Sequence, residues 1–294
     1  MQRAVLIVNP VASGVTPASI DRVSRELAAG GPLETVPTTR PGHATELAAE
    51  ACRECRAIYV FAGDGGFNEA VNGMRGDVPI GFLPGGATSV LPRALGLPRD
   101  PVACARRLAP AQRRRVITLG RANGRRFTFA CGIGLDAELV RAVDQRGRKN
   151  GRRPGDLAFL AELARILAHR RGRFDPALTV EGHGRYALAI VTNCDPYTYA
   201  GPIPVRATPL ARFEGGIDLV APARLTPGGL VHLAWYVLVR PAHPRAEGFL
   251  YVHDADRLAV RCDAPMPLEM DGEDLGDVSE VLFEAERGAL TVLV

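Results

Sequence analysis

The stretch Val60-Phe61-Ala62-Gly63-Asp64-Gly65-Gly66-Phe67-Asn68-Glu69-Ala70-Val71-Asn72-Gly73 decides the fold: an apolar run stops at glycines around one aspartate, and a helical pattern begins at once. Ile58 to Phe61 reads as a buried strand, and Phe67, Ala70 and Val71, at three- and four-residue spacing, give the next helix one inward face. The unit is strand, tight turn, helix. Glycine admits positive φ and lets a ligand approach the backbone, so such a turn can aim several N–H groups at an anion beside the positive end of the helix. Glycines serving turn geometry alone are the plain alternative. Asp64 weighs against it, because a carboxylate in an anion cradle is unfavourable unless it binds a cation or takes a proton.

A second glycine turn follows. Pro79 to Leu83 reads as a short buried strand, then come Pro84-Gly85-Gly86-Ala87-Thr88-Ser89 and a helical pattern from Val90 to Leu97. A third candidate is at the start, where the strand Ala4 to Val8 runs into Asn9-Pro10-Val11-Ala12-Ser13-Gly14. In an open parallel sheet ligands sit outside the carboxyl ends of the strands, so loops on neighbouring strands grip one nucleotide from two sides.

Over the first 120 residues strands alternate with helices: Ala4 to Val8 with Pro17 to Ala29, Leu33 to Pro37 with Ala44 to Cys55, then the two glycine-turn units. Such alternation predicts a parallel sheet with helices on both faces. After the stretch Pro98 to Arg115, which carries a short helix, strands dominate: Val116 to Arg121, Arg126 to Cys131, Leu178 to Glu181, Tyr186 to Asn193, Gly216 to Val220, Arg257 to Cys262, Pro267 to Met270, Val281 to Ala285 and Ala289 to Val294. Their alternation predicts a half-exposed antiparallel sheet. The expected division is a nucleotide-binding α/β domain over 1–120, a β-rich domain over 121–285 and a final strand, 286–294, returning to the first domain. Helical patterns interrupt the strands at Ala137 to Arg146, Leu157 to His169 and Pro227 to Arg240. The last is apolar enough to be either core or an interaction surface; core is the favoured reading, with the single Trp235 packing rather than binding.

A length of 294 residues favours two domains, and a hydrophobic content of 47% supplies ample core. No apolar run approaches the roughly 20 residues that span a bilayer, and no signal-peptide layout precedes the first strand, so a cytoplasmic location is expected. The net charge of +4 is modest, but Arg146 to Arg153 and Arg170 to Arg173 are basic concentrations. Each Lys or Arg near an anionic membrane is worth about 1 kcal/mol, which makes these runs candidate membrane contacts; a solvated arginine-rich loop is the plainer alternative. Nucleic acid is disfavoured, since no aromatic residues interleave with the arginines. Of six cysteines only Cys52 and Cys55 form C-x-x-C, inside a predicted helix and without a second pair, so reduced thiols are expected. His43, His169, His183, His232, His243 and His253 show no ligand spacing. The oligomeric state, monomer or homodimer, is not legible.

Five segments in order resemble the lipid kinases with a diacylglycerol-kinase catalytic domain, a family that includes bacterial diacylglycerol kinases and sphingosine kinases. They are Asn9-Pro10 with Ser13-Gly14, Gly63-Asp64-Gly65 with Asn68-Glu69 and Asn72-Gly73, Pro84-Gly85-Gly86 leading to Arg93 and Leu95-Gly96-Leu97-Pro98, Gly132-Ile133-Gly134-Leu135-Asp136-Ala137, and Asp271-Gly272-Glu273. The resemblance implies an N-terminal α/β domain with an NAD kinase- and phosphofructokinase-like parallel sheet, a C-terminal antiparallel β-sandwich domain, and phosphorylation of a lipid hydroxyl with ATP and Mg²⁺. It implies nucleotide contacts at Asn9, Pro10, Ser13, Gly14, Thr38, Gly63, Asp64, Gly65, Gly66, Asn68, Glu69, Gly85, Gly86, Ala87 and Thr88, with amides of Gly63 to Gly66 and Gly85 to Ala87 on the triphosphate. Glu273 falls at the proton acceptor, with Asp271 beside it and Asp64 as a rival base. Ala211, Glu214 and Gly216 fall where bacterial members hold a structural magnesium.

The chain departs from the family's pattern at three places. Gly66 stands for the usual threonine; Gly86-Ala87-Thr88-Ser89-Val90 stands for the usual Gly-Thr-x-Asn-Asp, losing another hydroxyl and a carboxylate that helps organise the site; and Glu214 stands for an aspartate in the magnesium loop. By itself, Asp271-Gly272 reads as a hairpin turn. The missing hydroxyls keep a second reading open, a catalytically impaired nucleotide- or lipid-binding homologue. A kinase for a soluble acceptor such as NAD is a third.

Overall fold

The computed structural model describes residues 2–110, 113–147, 156–241 and 246–294. Arg148 to Arg153 of the first basic run, and His243, lie outside the described residues. The chain divides into two compact units, Met1–Ile117 with Gly288–Val294, and Thr118–Arg287.

The first unit runs β1 (Ala4–Val8), α1 (Pro17–Ala28), β2 (Leu33–Pro37), α2 (His43–Ala51), β3 (Ala57–Ala62), α3 (Asp64–Gly73), β4 (Ile80–Pro84), α4 (Val90–Ala94) and α5 (Pro101–Leu108). Strands lie in the order β2-β1-β3-β4, all parallel, and Val292 near the C-terminus pairs parallel to Ile80. Every residue of β1, β3 and β4 is buried, as a sheet covered on both faces requires. Local chemistry sets the helix starts. Thr16 and Ser19 form a reciprocal capping box before α1, with Pro17 at its first position, and Asp100 caps α5 by accepting the Ala103 N–H at 2.7 Å. Two helices end earlier than predicted: α2 stops at Ala51, and α4 at Ala94, where Gly96 takes a φ of +74°.

The second unit contains most of β5 (Arg114–Ala122), then β6 (Arg125–Phe127), β7 (Ala130–Ile133), α6 (Leu135–Gln145), α7 (Asp156–His169), β8 (Leu178–Val180), β9 (Gly184–Tyr186), β10 (Ala189–Thr192), β11 (Thr198–Ala200), β12 (Ile203–Val205), β13 (Ile217–Pro222), α8 (Pro227–Leu238), β14 (Phe249–Ala255), β15 (Arg257–Met270) and most of β16 (Glu273–Leu293). Its pairings are antiparallel. One layer runs β14-β13-β10-β7 to the Leu268–Met270 end of β15, and another runs β9-β8 to Val260–Cys262 at the other end of that strand. The β15–β16 register shifts between Arg261 and Met266, so the long strand serves both layers. Phe127, Cys131, Val180, Val191, Leu219, Val260, Met270 and Phe283 meet in one core between them, which makes the unit a sandwich.

Several sequence expectations change. Arg126 to Cys131 and Tyr186 to Asn193 are each two strands; Arg257 to Cys262 and Pro267 to Met270 are one; the last two predicted strands merge into β16; β11, β12 and β14 were not predicted. The larger correction concerns α8. It has no fully buried residue, and Val231, Trp235 and Val239 are 70%, 52% and 60% exposed, so this helix is not core. The cysteines are all thiols.

Candidate functional site

Three loops leave the carboxyl ends of β1, β3 and β4, and their backbones hold one another. Gly14 N–H donates to the Gly85 carbonyl at 2.8 Å, Asn9 N–H to that of Phe61 at 3.0 Å, and Gly85 N–H to that of Ala62 at 2.8 Å. Gly63 and Gly86 are appressed: a Cβ on Gly86 would lie 2.8 Å from the Gly63 Cα, so only glycine fits. Ser89, buried with φ at +49°, accepts the Gly86 N–H at 3.1 Å and donates to the Gly86 carbonyl at 3.2 Å. Amides of Gly85 and Gly86 are therefore already engaged, which corrects the expectation that both face a triphosphate. Exposed Ala87 sits at the loop tip, with Thr88 half-buried next to it.

The start of α3 has a different character. Its N-cap is Gly63, which supplies no side-chain acceptor, so the leading amides at Gly65 and Gly66 have no side-chain cap and the helix's positive end is available to an anion. Asp64 opens the helix, and its Oδ1 accepts the Leu91 N–H at 3.4 Å. The glycine at 66 has a local cause: a Cβ there would lie 2.6 Å from the Ala62 Cβ. Elsewhere the candidates divide. Pro10, Ser13 and Gly14 are exposed, Asn9 accepts the Val11 N–H at 3.2 Å, and Thr38 follows β2 with its N–H on the Val8 carbonyl at 2.7 Å. Asn68 is buried and carries Asn72 Nδ2 on its carbonyl at 2.9 Å. Glu69 turns to α2, its carboxylate accepting the Ala44 N–H at 3.4 Å and its carbonyl the Thr45 hydroxyl at 2.8 Å. It ties two helices together.

In the second unit Asp271 and Gly272, with φ of +48° and +80°, form the two-residue turn between β15 and β16. Asp271 is 3% exposed, and its carboxylate accepts the Thr128 N–H at 2.7 Å, the Thr128 hydroxyl at 2.9 Å, the Phe129 N–H at 3.0 Å and the Ala130 N–H at 3.2 Å. Four donors make it a clamp, and they break the predicted strand into β6 and β7. Glu273, half-buried at the head of β16, lies 3.4 Å from Arg125 Nη2.

Behind that turn is an acid pair that sequence reasoning missed. Glu269 is 1% exposed, and a Cβ on Gly132 would lie 3.1 Å from its Oε1 and 2.7 Å from Oδ2 of half-buried Asp136, so the two oxygens converge over the glycine. Glu269 Oε2 accepts the Gly272 N–H at 2.9 Å, the Cys131 thiol donates to the Glu269 carbonyl at 2.9 Å, and the Tyr197 hydroxyl donates to Asp136 Oδ2. Glu269 Oε1 has no donor among the described residues. Burial, then the neighbouring Asp136 charge, push the Glu269 carboxyl well above the usual range; burial also raises Asp136. A proton on Glu269 donated to Asp136 satisfies both. The one signal in the sequence was a charged residue inside the apolar run Met266 to Met270.

At the loop where the resemblance puts magnesium, the neighbouring acids are held by an arginine. Glu214 is exposed, while the Gly216 N–H donates to Asp254 Oδ1 at 2.5 Å. Arg287 Nη2 donates to the same oxygen at 2.9 Å and its Nε to Asp256 Oδ1 at 2.5 Å, and a Cβ on Gly216 would lie 2.8 Å from that Nη2. These hydrogen bonds to the Gly216 amide and to Arg287 hold the Asp254 carboxyl below its usual range. A fixed cation already stands against the loop.

Residues 3–122 match the profile of the diacylglycerol kinase catalytic domain. The chain is 28% identical over 284 residues to the diacylglycerol kinase of Bacillus subtilis (strain 168), covering 93% of this chain and 90% of that one. In fold it is similar to a diacylglycerol kinase from Bacillus anthracis str. Sterne, with a TM-score of 0.73 at 20% identity over 99% of this chain and 96% of that one. An NAD kinase from Archaeoglobus fulgidus, solved with ATP, is more distant: TM-score 0.51, 12% identity, 99% and 93% coverage. These two likenesses concern the fold.

Proposed function

We propose that the chain, whose residues 3–122 match the diacylglycerol kinase catalytic domain, is a member of that family and an ATP-dependent lipid kinase that phosphorylates the hydroxyl of diacylglycerol or a related lipid. Phosphoryl transfer asks for positioning and charge neutralisation more than for covalent chemistry. The observation that carries the reading is the appressed Gly63 and Gly86 backbones beside the uncapped start of α3, a cradle that side chains would fill. Amides of Gly65, Gly66 and Ala87 hold phosphate oxygens, and Asn9 to Gly14 with Thr38 line the nucleotide. Asp64 would hold the Mg²⁺ that accompanies the nucleotide, which would supply neutralisation of phosphate charge there. Glu273 takes the proton of the lipid hydroxyl. Asp271, fully engaged as an acceptor, fixes the turn that carries Glu273.

Incubating the protein with labelled ATP, Mg²⁺ and mixed-micelle lipids tests this. Labelled lipid is expected from the wild type, Asp64→Ala should remove activity, and Glu273→Gln should lower kcat by roughly 10² or more while nucleotide affinity holds. Absence of labelled lipid overturns the reading. Nucleotide binding without turnover would favour the impaired homologue, which Gly66 and Ala87 make worth testing, and NADP formation would favour a soluble acceptor. No helix among the described residues is long and apolar enough to cross a membrane; a cytoplasmic kinase working on a lipid must meet the bilayer peripherally.

A further inference from the structure

Helix α8 carries an apolar face that its own unit leaves uncovered. Leu230 and Leu233 pack on the cluster of Ile166, Phe174 and Leu225, while Val231, Trp235, Leu238 and Val239 point outward. The sequence holds no acidic residue from Leu219 to Ala246. Basic residues flank the helix instead. A Cβ on Gly172 would lie 3.2 Å from Pro227 Cγ and 3.3 Å from Leu230 Cδ1, so the Arg170-to-Arg173 run abuts the first turn, with Arg171 and Arg173 exposed; Arg240 is exposed at the other end. Two of the flanking cations have acidic partners, Arg224 with Asp175 at 3.2 Å and Arg170 with Glu138 at 2.8 Å. Twelve residues make about 18 Å of helix, too short to span a bilayer and suited to lying in its interface.

We infer that α8 docks the protein on an anionic lipid bilayer, lying in the interface plane with Trp235 at headgroup level and Arg171, Arg173 and Arg240 on the lipid phosphates. The choice of a bilayer as the partner rests on the lipid-kinase reading. Charge complementarity decides it: an acid-free apolar face ringed by arginines matches an anionic interface, where tryptophan is favoured and each cation adds attraction.

Trp235 is the chain's single tryptophan, so its emission reports on this face without labelling. The whole protein is mixed with phosphatidylglycerol-containing vesicles, and separately with pure phosphatidylcholine vesicles. A blue shift and co-sedimentation with the anionic vesicles, weakened several-fold by high salt, are expected. The Val231→Ser/Val239→Ser variant should partition roughly tenfold less while keeping wild-type circular dichroism and wild-type phosphorylation of a short-chain, water-soluble diacylglycerol. No emission change with either vesicle overturns the inference, and so does a variant that binds like the wild type. Emission already blue in a dimeric protein and unmoved by vesicles would mean that a second copy covers the face, which also overturns it. Vesicle docking without lipid phosphorylation would instead sink the kinase reading and leave the docking helix standing.

Discussion

Ala62 and Gly66 share the space of one side chain. With a methyl on 62, a Cβ on 66 would lie 2.6 Å away, closer than real Cβ atoms come, so the hydroxyl that the family resemblance leads one to expect at 66 has no room. Gly66→Thr alone should therefore destabilise by about 1–3 kcal/mol through overpacking. Adding Ala62→Gly should recover most of that in urea unfolding, less the roughly 0.5–1 kcal/mol of a strand glycine, and raise turnover; equal losses in the single and double variants would show that the space is not shared. Glu269 supports a pH prediction. Its folded pKa lies above the unfolded value, so the folded state keeps an extra proton. The associated stability is fully present below the unfolded pKa, about 4.3, and is lost as pH rises towards the folded pKa, with a slope near 1.4 kcal/mol per unit. Glu269→Gln retains a donor for Asp136 and an acceptor for the Gly272 N–H but cannot titrate. Its urea midpoint should exceed the wild type's by a margin that grows from about pH 5 upward, and parallel curves would exclude a buried proton.

At the scale of elements, chemistry close in sequence was legible and chemistry distant in sequence was not. Thr16, Pro17 and Ser19 announced the start of α1, and the continuous apolar runs of β1, β3 and β4 announced strands buried on both faces. The break between β6 and β7 was invisible, because the acceptor that captures the Thr128 and Phe129 amides is Asp271, 143 and 142 residues away. Helix α8 was legible as a helix but not as an exposed one, since periodicity gives an apolar face without saying what covers it. The clamp itself can be measured. Asp271→Asn keeps a residue suited to positive φ and one acceptor oxygen, and should cost about 1–3 kcal/mol in urea unfolding; Asp271→Ala strands four donors and should cost more than about 3 kcal/mol. Equal effects would mean that turn conformation, not the buried acceptor, holds β7 to the hairpin.

For the molecule as a whole, the glycine loops and the alternation of strand and helix made the first unit's parallel sheet readable, and the resemblance supplied the sandwich of the second. The metal was the part that residue types alone did not settle. Ala211, Glu214 and Gly216 have the spacing of the resemblance, but the cation that neutralises Asp254 and Asp256 is Arg287, brought back by β16 from 71 or more residues beyond that loop. Magnesium is thus expected to enter with the nucleotide rather than as a part of the fold. Chelation with EDTA should stop phosphoryl transfer while leaving the melting temperature unchanged. Saturating Mg²⁺–ATP at about 100 times Kd should add about 2.7 kcal/mol by linkage, with hydrogen-exchange protection at the start of α3. Arg287→Gln should lower the melting temperature and loosen the Gly216 amide, because it leaves Asp254 and Asp256 without their shared cation. If EDTA alone lowered the melting temperature of the wild type, a bound metal would be holding that loop despite the arginine, and the second unit's stability would have to be referred to an ion instead of to a side chain.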